Sequence, residues 1–392
     1  MLHTLAISNY RSILDLVVPL GPLNVITGSN GSGKSNLYRA LRLLAETSTG
    51  GVVSALAREG GLQSTFWAGP ATISDGMRSG KVSIEGTHQK GPKRLRLGFA
   101  GDDFGYAISL GLPKPPDRDD PEPTAFSLDP EIKRETIWSG LSYRPSGALI
   151  DRIGPITKTR ESRKWEVIAQ HIPNYESMFT HTGDPERTPE IVRLREEIRA
   201  WRFYDHLRTD SEAPARQPQL GTRSPVLDHD GHTLAATWQT IREIGDREVL
   251  NEVVSDAFPG AHVTINTAED NRFSLTFHQE GLLRGLNCTE LSDGTLRYLL
   301  WIAALMTPRP PPLMVLNEPE TSLHPDLLPA LGRLIIKASE YSQILVVTHA
   351  PRLVNTLAKD NDCNEIQLEK TLGQTEVLGQ GMLDKPSWQW PE

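Results

Sequence analysis

At 392 residues with 38% hydrophobic side chains, the chain can bury a real core, as one large domain carrying an insertion or as two or three domains. Its formal net charge of -8 excludes a uniformly basic nucleic-acid binder, although Lys90, Lys93, Arg94 and Arg96 cluster in one stretch and six arginines crowd 187–208. MLHTLAISNY has no leader pattern, the longest apolar run (298–306) is about half a membrane span, and Cys288 and Cys363 lie outside any Cys/His cluster, so a cytoplasmic protein without disulfides or structural zinc is expected.

Residues 4–10, where Leu5 and Ile7 alternate with polar neighbours, read as a strand running into Asn9-Tyr10-Arg11-Ser12, where an arginine can reach a bound nucleotide. The apolar run 23–27 then leads into GSNGSGKS at 28–35, which fits GxxxxGK[ST] at every fixed position, and Leu37, Leu41 and Leu44 follow at i, i+4, i+7. Strand, loop and helix thus stand in the order that phosphate binding requires; a Gly-rich turn that merely caps a helix needs no such context. Gly28, Gly31 and Gly33 let the backbone curl with its N–H groups inward, the helix N-terminus adds partial positive charge, Lys34 neutralises β- and γ-phosphates, and Ser35 can ligate Mg²⁺.

Residues 50–69 read as loop with at most one short helix, and 81–86, 93–100 and 104–112 as an antiparallel meander with Gly101-Asp102-Asp103 as one turn. The Pro- and Asp-rich 113–123 marks a surface loop or a subdomain boundary. Behind Pro189, residues Ile191, Leu194, Ile198 and Trp201 recur at helical spacing; the arginines between them alternate with Glu190, Glu196, Glu197 and Asp205, which suits a solvated face as well as a nucleic-acid patch. A polar loop at 211–225 precedes a helical region, 233–258, ended by Pro259-Gly260, and 262–266 with 272–277 form a hairpin.

In ELSDGTLRYL at 290–299, Ser292 is placed to cap a helix whose face carries Leu296, Leu300 and Ala303. PLMVLNEPE at 312–320 and ILVVTHAP at 344–351 are short apolar runs closed by Asn317-Glu318 and by His349; with a helix between them they read as buried parallel strands of βαβ units. Polar residues at the C-termini of such strands face a ligand crevice. ATP hydrolysis needs a group to orient and deprotonate water, for which Glu318 is suited, and a donor to the γ-phosphoryl oxygens, for which His349 is suited. A solvated strand end and a satisfied core histidine are the plain alternatives. A hairpin at 365–378 and a tail ending SWQWPE complete the chain.

Taken in order, NYRS, GSNGSGKS, LSDGT, VLNEPETSLHP and VVTHAP resemble the ABC-type ATPases of the RecF/SMC/OLD group, and most nearly the short bacterial AAA family ATPases. The likeness covers 1–112 and 260–368. It implies an α/β P-loop NTPase whose mostly parallel core sheet and antiparallel β subdomain are formed by 1–112 and 260–392, with 113–259 inserted as an α-rich lid. It also implies that Arg11, Asn30, Gly31, Ser32, Gly33, Lys34, Ser35 and Asn36 bind ATP, that Ser35 and Asn317 serve Mg²⁺, that Glu318 is the catalytic glutamate, and that His349 is the switch histidine. Ser292 and Gly294 belong to the signature, which in this group meets ATP held by a second protomer, so a head-to-tail homodimer is implied.

The sequence departs from that pattern at Asn317, where the Walker B aspartate and its charge are missing, at LSDGT in place of LSGGQ, and at His324 in place of the D-loop aspartate; Gln63 is the candidate Q-loop glutamine. The middle is too short for an SMC arm, and the metal-binding domain of OLD nucleases finds no room. The expected function is therefore an ATP-dependent switch without a membrane role, controlling a nucleic acid or a separate effector in DNA repair or phage defence. The alternative is a nucleotide-binding scaffold that scarcely hydrolyses, which Asn317 favours; a transporter subunit is disfavoured by the altered signature.

Overall fold

The computed structural model describes residues 1–70, 72–79, 81–83, 93–114, 124–162, 164–181, 183–205, 207–381 and 383–392. The chain divides into two units, one comprising Met1–Leu20, Thr27–Ala200 and Ile366–Glu392, the other Gly21–Ile26 and Trp201–Glu365.

In the first unit, β1 (Leu2–Tyr10) and β2 (Ile13–Pro19) form a hairpin turned at Arg11-Ser12. β3 (Leu23–Gly28) begins in the second unit and delivers its last two residues to the first. β4 (Leu95–Gly101), β5 (Phe104–Gly111), β6 (Glu131–Ser139), β7 (Ala148–Ile153), β8 (Ile156–Glu161) and β9 (Lys164–Ala169) complete an eight-stranded antiparallel sheet in the order β2-β1-β4-β5-β6-β7-β8-β9. β4 and β5 are the expected meander strands, in register Leu95↔Leu110. Of the expected strand at 81–86, residues 81–82 form a bend, residue 83 has no regular structure, and the remainder lies outside the described residues.

Residues 113–259 do not form one α-rich piece. Residues 131–169 supply β6 to β9, and 201–259 belong to the second unit. The strands are hidden in the sequence because charged residues occupy buried positions: Glu135 and Arg152 are both wholly buried and paired at 2.6 Å. The remaining donors and acceptors of the pair are satisfied, Glu135 accepting from Tyr106, Ser177 and the Met178 amide, and Arg152 donating to the carbonyls of Gly154, Pro173 and Glu176. Only such saturation makes a buried ion pair tolerable.

The helix Lys34–Thr47 buries Leu37, Leu41 and Leu44 completely, as their spacing requires, and Pro189–Arg199 buries Ile191, Leu194 and Ile198. Between them, 50–69 holds two short helices, Val52–Arg58 and Leu62–Thr65.

The second unit carries parallel strands in the order β10 (Arg202–Tyr204), β15 (Leu313–Asn317), β16 (Gln343–Val347) and the start of β3, beside a small antiparallel group of β11 (Gln219–Leu220), β12 (His262–Thr267), β13 (Arg272–His278) and β14 (Leu286–Asn287). All of β16 and the first four residues of β15 are buried, which is why both read as unbroken apolar runs. The expected helical region 233–258 is two helices, Leu234–Ile244 and Arg247–Ala257, parted at Gly245, with Asp246 capping the second through Val249 N–H at 3.0 Å. These pack with Asp293–Leu305 and Leu328–Ser339 around Trp238, Trp301 and Leu331.

β17 (Cys363–Thr371) and β18 (Gln374–Val377) form the expected C-terminal hairpin, and the tail sets the Trp388 ring 5.6 Å from that of Trp138 in the first unit. Both cysteines are free, and burial pushes each thiol up to about 11. No helix among the described residues is long and apolar enough to cross a membrane.

Candidate nucleotide-binding site

The phosphate loop occupies the turn from β3 into the helix Lys34–Thr47. Gly33 has φ 107°, and a Cβ there would lie 2.1 Å from Thr375 Oγ1, so conformation and close approach both demand glycine. No side chain caps this helix, which leaves its N-terminus to an anion. Lys34 is buried and donates from Nζ to the loop carbonyls of Gly28 (2.7 Å) and Ser29 (3.1 Å), so the loop is folded around its own ammonium. Ser32 Oγ is buried with no partner; Asn30, Gly31 and Ser35 are exposed. A triphosphate fits this set: a cation, an uncapped helix end, exposed backbone at the tip, and an orphaned hydroxyl.

Around the loop in the same unit, Asn36 Nδ2 donates to Ser12 Oγ at 2.7 Å, Ser12 Oγ lies 2.7 Å from Thr375 Oγ1, and Thr375 donates to the Ser32 carbonyl at 2.9 Å. Arg11, with φ 52°, donates to Glu59 from Nη2 at 2.7 Å, and Tyr10 donates to the same oxygen at 2.7 Å. Burial lowers the Arg11 pKa, but the bonds to Glu59 and Tyr10 outweigh it and leave it raised. Burial first, then Glu59, pushes the Tyr10 phenol well above its ordinary value. Arg11 therefore has a resident counter-ion. Gln63 is exposed on the short helix Leu62–Thr65, whose Thr65 carbonyl accepts from Arg11 N at 2.6 Å.

In the second unit, Asn317 ends β15 opposite Val347, and Val347 lies opposite Ile26 of β3, so one row of the sheet crosses all three strands. Glu318 follows with φ 49° and donates its N–H to Val347 O at 2.8 Å, a left-handed turn that carries its side chain out half-exposed. His349 Nδ1 lies 3.8 Å from Glu318 Oε1 and 3.4 Å from Glu320 Oε1. Glu318 and His349, each expected at the C-terminus of its own strand, stand 3.8 Å apart. Glu320, which sequence reasoning passed over, is 8% exposed, and its Oε1 accepts from Thr348 Oγ1 (2.6 Å) and His349 N (3.0 Å) while Oε2 is buried without a partner.

The turn at 291–295 belongs to the same unit. Ser292 caps the helix Asp293–Leu305 by accepting from Thr295 N at 3.2 Å, and both Ser292 and Asp293 are exposed. A Cβ on Gly294 would meet Ser322 O at 2.9 Å. The preceding backbone is bolted by buried Arg216, which donates to the carbonyls of Cys288, Leu291 and Thr209 and to Asp293 Oδ1 at 2.8 Å. Ser35 is exposed in the first unit and Asn317 half-buried in the second; a hydroxyl or a neutral amide, each taken by itself, suits a metal that draws most of its ligands from phosphate and water.

A mixed α/β chain with parallel and antiparallel sheets and a formed phosphate loop has the architecture of a P-loop ATPase domain. Its fold matches an SMC head crystallised with the C-terminal winged-helix domain of ScpA, at a TM-score of 0.51 and 13% identity over 97% of this chain and 98% of that one. The SMC head domain of Thermotoga maritima aligns over 97% and 99% of the two chains at 14% identity and a TM-score of 0.46. The chain belongs to the AAA_21 family, described as "AAA domain, putative AbiEii toxin, Type IV TA system", whose model matches residues 23–355. A stretch of 44 residues, 11% of the chain, is 46% identical to the OLD nuclease of Thermus scotoductus, of whose length it spans 8%.

Proposed function

We propose that this protein is an ATP-binding and ATP-hydrolysing switch of the cytoplasm, which closes head-to-tail with a second copy around ATP and controls a nucleic acid or a separate effector. The observation that carries the reading is the sheet row Asn317–Val347–Ile26: it aligns the acid-bearing end of β15 with the strand that runs directly into the phosphate loop. In this reading Arg11, Asn30, Gly31, Ser32, Gly33, Lys34, Ser35 and Asn36 hold the nucleotide through loop N–H groups and positive charge. Glu318 orients the attacking water and accepts its proton, and His349 donates to the γ-phosphoryl oxygens. Ser35 and Asn317 would hold Mg²⁺, which when bound would supply charge neutralisation at the phosphates. Ser292 and Gly294, exposed or half-buried at their helix end, serve the nucleotide of the second copy.

Wild type and Glu318→Gln are compared by size-exclusion chromatography in ATP and Mg²⁺, with phosphate release in parallel. The expected outcome is a dimer that accumulates in Glu318→Gln while its turnover falls at least about a hundredfold. A monomer in both proteins sinks the dimer.

Asn317 favours one other reading, a scaffold that holds nucleotide and scarcely hydrolyses it, because an amide cannot supply the charge of an aspartate. Phosphate release from wild type no faster than from Lys34→Ala would establish it. The likeness to an SMC head crystallised with a partner domain, and a family description naming a toxin of a toxin–antitoxin system, support an effector role. Capture with Glu318→Gln in ATP, with and without nuclease treatment, separates a nucleic acid from a protein.

A further inference from the structure

One hydroxyl of the C-terminal hairpin bonds directly to the phosphate loop. Thr375, wholly buried at the start of β18, donates from Oγ1 to the Ser32 carbonyl at 2.9 Å, and its own N–H donates to Ser12 O at 2.7 Å. The direction of every proton in the chain of bonds is fixed. A carbonyl only accepts, so the Thr375 hydrogen points to Ser32; the Ser12 hydroxyl, 2.7 Å away, must then donate to Thr375 Oγ1; and the Asn36 amide, 2.7 Å from Ser12 Oγ, must donate in turn. Neither hydroxyl retains a hydrogen for any other partner.

The geometry points to Thr375 as a positioning residue for the nucleotide: the relay Asn36→Ser12→Thr375→Ser32 holds the Ser32 carbonyl back, so that the following N–H groups present themselves to the β-phosphate. Two further observations agree. Gly33 is pressed against Thr375, so that a Cβ would lie 2.1 Å from its hydroxyl and 2.8 Å from its methyl, which fixes the loop by contact as well as by bonding. Both ends of the relay, Ser32 and Asn36, are loop or first-turn residues, while its middle comes from the β1–β2 turn and from β18. A carbonyl turned toward the anion would repel it; tying that carbonyl down removes the competing conformation before the ligand arrives.

This inference rests on the nucleotide reading of the loop. The experiment measures calorimetric affinities of Mg²⁺ with ATP and with ADP for wild type, Thr375→Val, Thr375→Ser, Ser12→Ala and the Ser12→Ala/Thr375→Val pair, together with kcat at saturating ATP. Loss of one such hydrogen bond corresponds to about a fivefold change. Thr375→Val and Ser12→Ala are expected to weaken ATP and ADP equally, by roughly that factor, because both ligands carry the β-phosphate, while kcat stays within about twofold. Thr375→Ser restores the affinity, and the double variant is no weaker than the weaker single one, since one relay is broken only once. A merely structural threonine would not give equal loss for the two nucleotides with serine rescue. Wild-type affinity in Thr375→Val, additive losses, or failure of the serine to rescue overturns the proposal; if Thr375→Val does not fold, Ser12→Ala decides alone. Wild type that binds neither nucleotide overturns the reading of the loop itself, an outcome distinct from the others.

Discussion

Glu320 shows how a single residue can escape a reading of the sequence. Asn317, Glu318 and His349 are legible because each closes an apolar run, and a polar residue at the end of a buried strand has few places to point. Glu320 stands two residues further on in a turn, where nothing in the spacing separates an exposed acid from a buried one. The structure buries it, gives Oε1 to Thr348 and His349, and leaves Oε2 without a partner. Such a half-satisfied carboxylate is expensive to keep and more expensive to remove. Glu320→Ala, which strands the Thr348 hydroxyl and the His349 N–H, is expected to cost about 2–4 kcal/mol in urea unfolding. Glu320→Gln preserves the shape and is expected to cost about 1 kcal/mol or less, yet to slow phosphate release about tenfold, because the imidazole 3.4 Å away loses the carboxylate that orients it. Equal turnover in wild type and Glu320→Gln would make Glu320 a packing residue only.

Among the elements, those whose buried positions are mostly apolar were visible beforehand: β15, β16 and the start of β3 as apolar runs, and the helices Lys34–Thr47 and Pro189–Arg199 by one apolar face. The strands β6 and β7 were not, because their inward positions hold Glu135 and Arg152, and a charged residue at a core position breaks the alternation on which strand reading depends. The turn at 291–295 shows the opposite case, in which the cap at Ser292 was legible but its support was not. Arg216 comes from a polar loop 77 residues away and reaches four backbone carbonyls, those of Thr209, Asp210, Cys288 and Leu291, and Asp293. Arg216→Ala is expected to destabilise by about 2–4 kcal/mol by leaving those carbonyls buried and unpaired, with chemical denaturation as the measurement. Arg216→Lys should recover only part of this, since an ammonium cannot reproduce the planar fork; full recovery would show that charge alone matters.

At the scale of the molecule, the family and the P-loop class were legible from the order of the motifs, while the division of the chain was not. The boundaries expected at 112 and 259 follow composition. The structure instead passes from one unit to the other at 20/21, 26/27, 200/201 and 365/366, so neither unit is a continuous segment and no simple truncation isolates one. The tail is part of the first unit's packing: Trp388 lies edge-on to Trp138 and to Trp390, at 5.6 and 5.3 Å, above Gly98, where a Cβ would come within 2.8 Å of its ring. Trp388→Ala is expected to lower stability by about 1–3 kcal/mol in thermal unfolding. An unchanged midpoint would show that the tail only rests on the sheet.

The relay that sets the phosphate loop joins residues 363 positions apart, Ser12 and Thr375. A ribosome adding about 5–20 residues per second needs roughly 20–70 s to travel that distance, and through all of it the loop lacks the Thr375 contact. A nascent chain, or a fragment that stops before β18, carries the whole GSNGSGKS motif without the contact that shapes it. On the proposed reading, a product that stops before β18 holds nucleotide about fivefold more weakly than a chain that carries it.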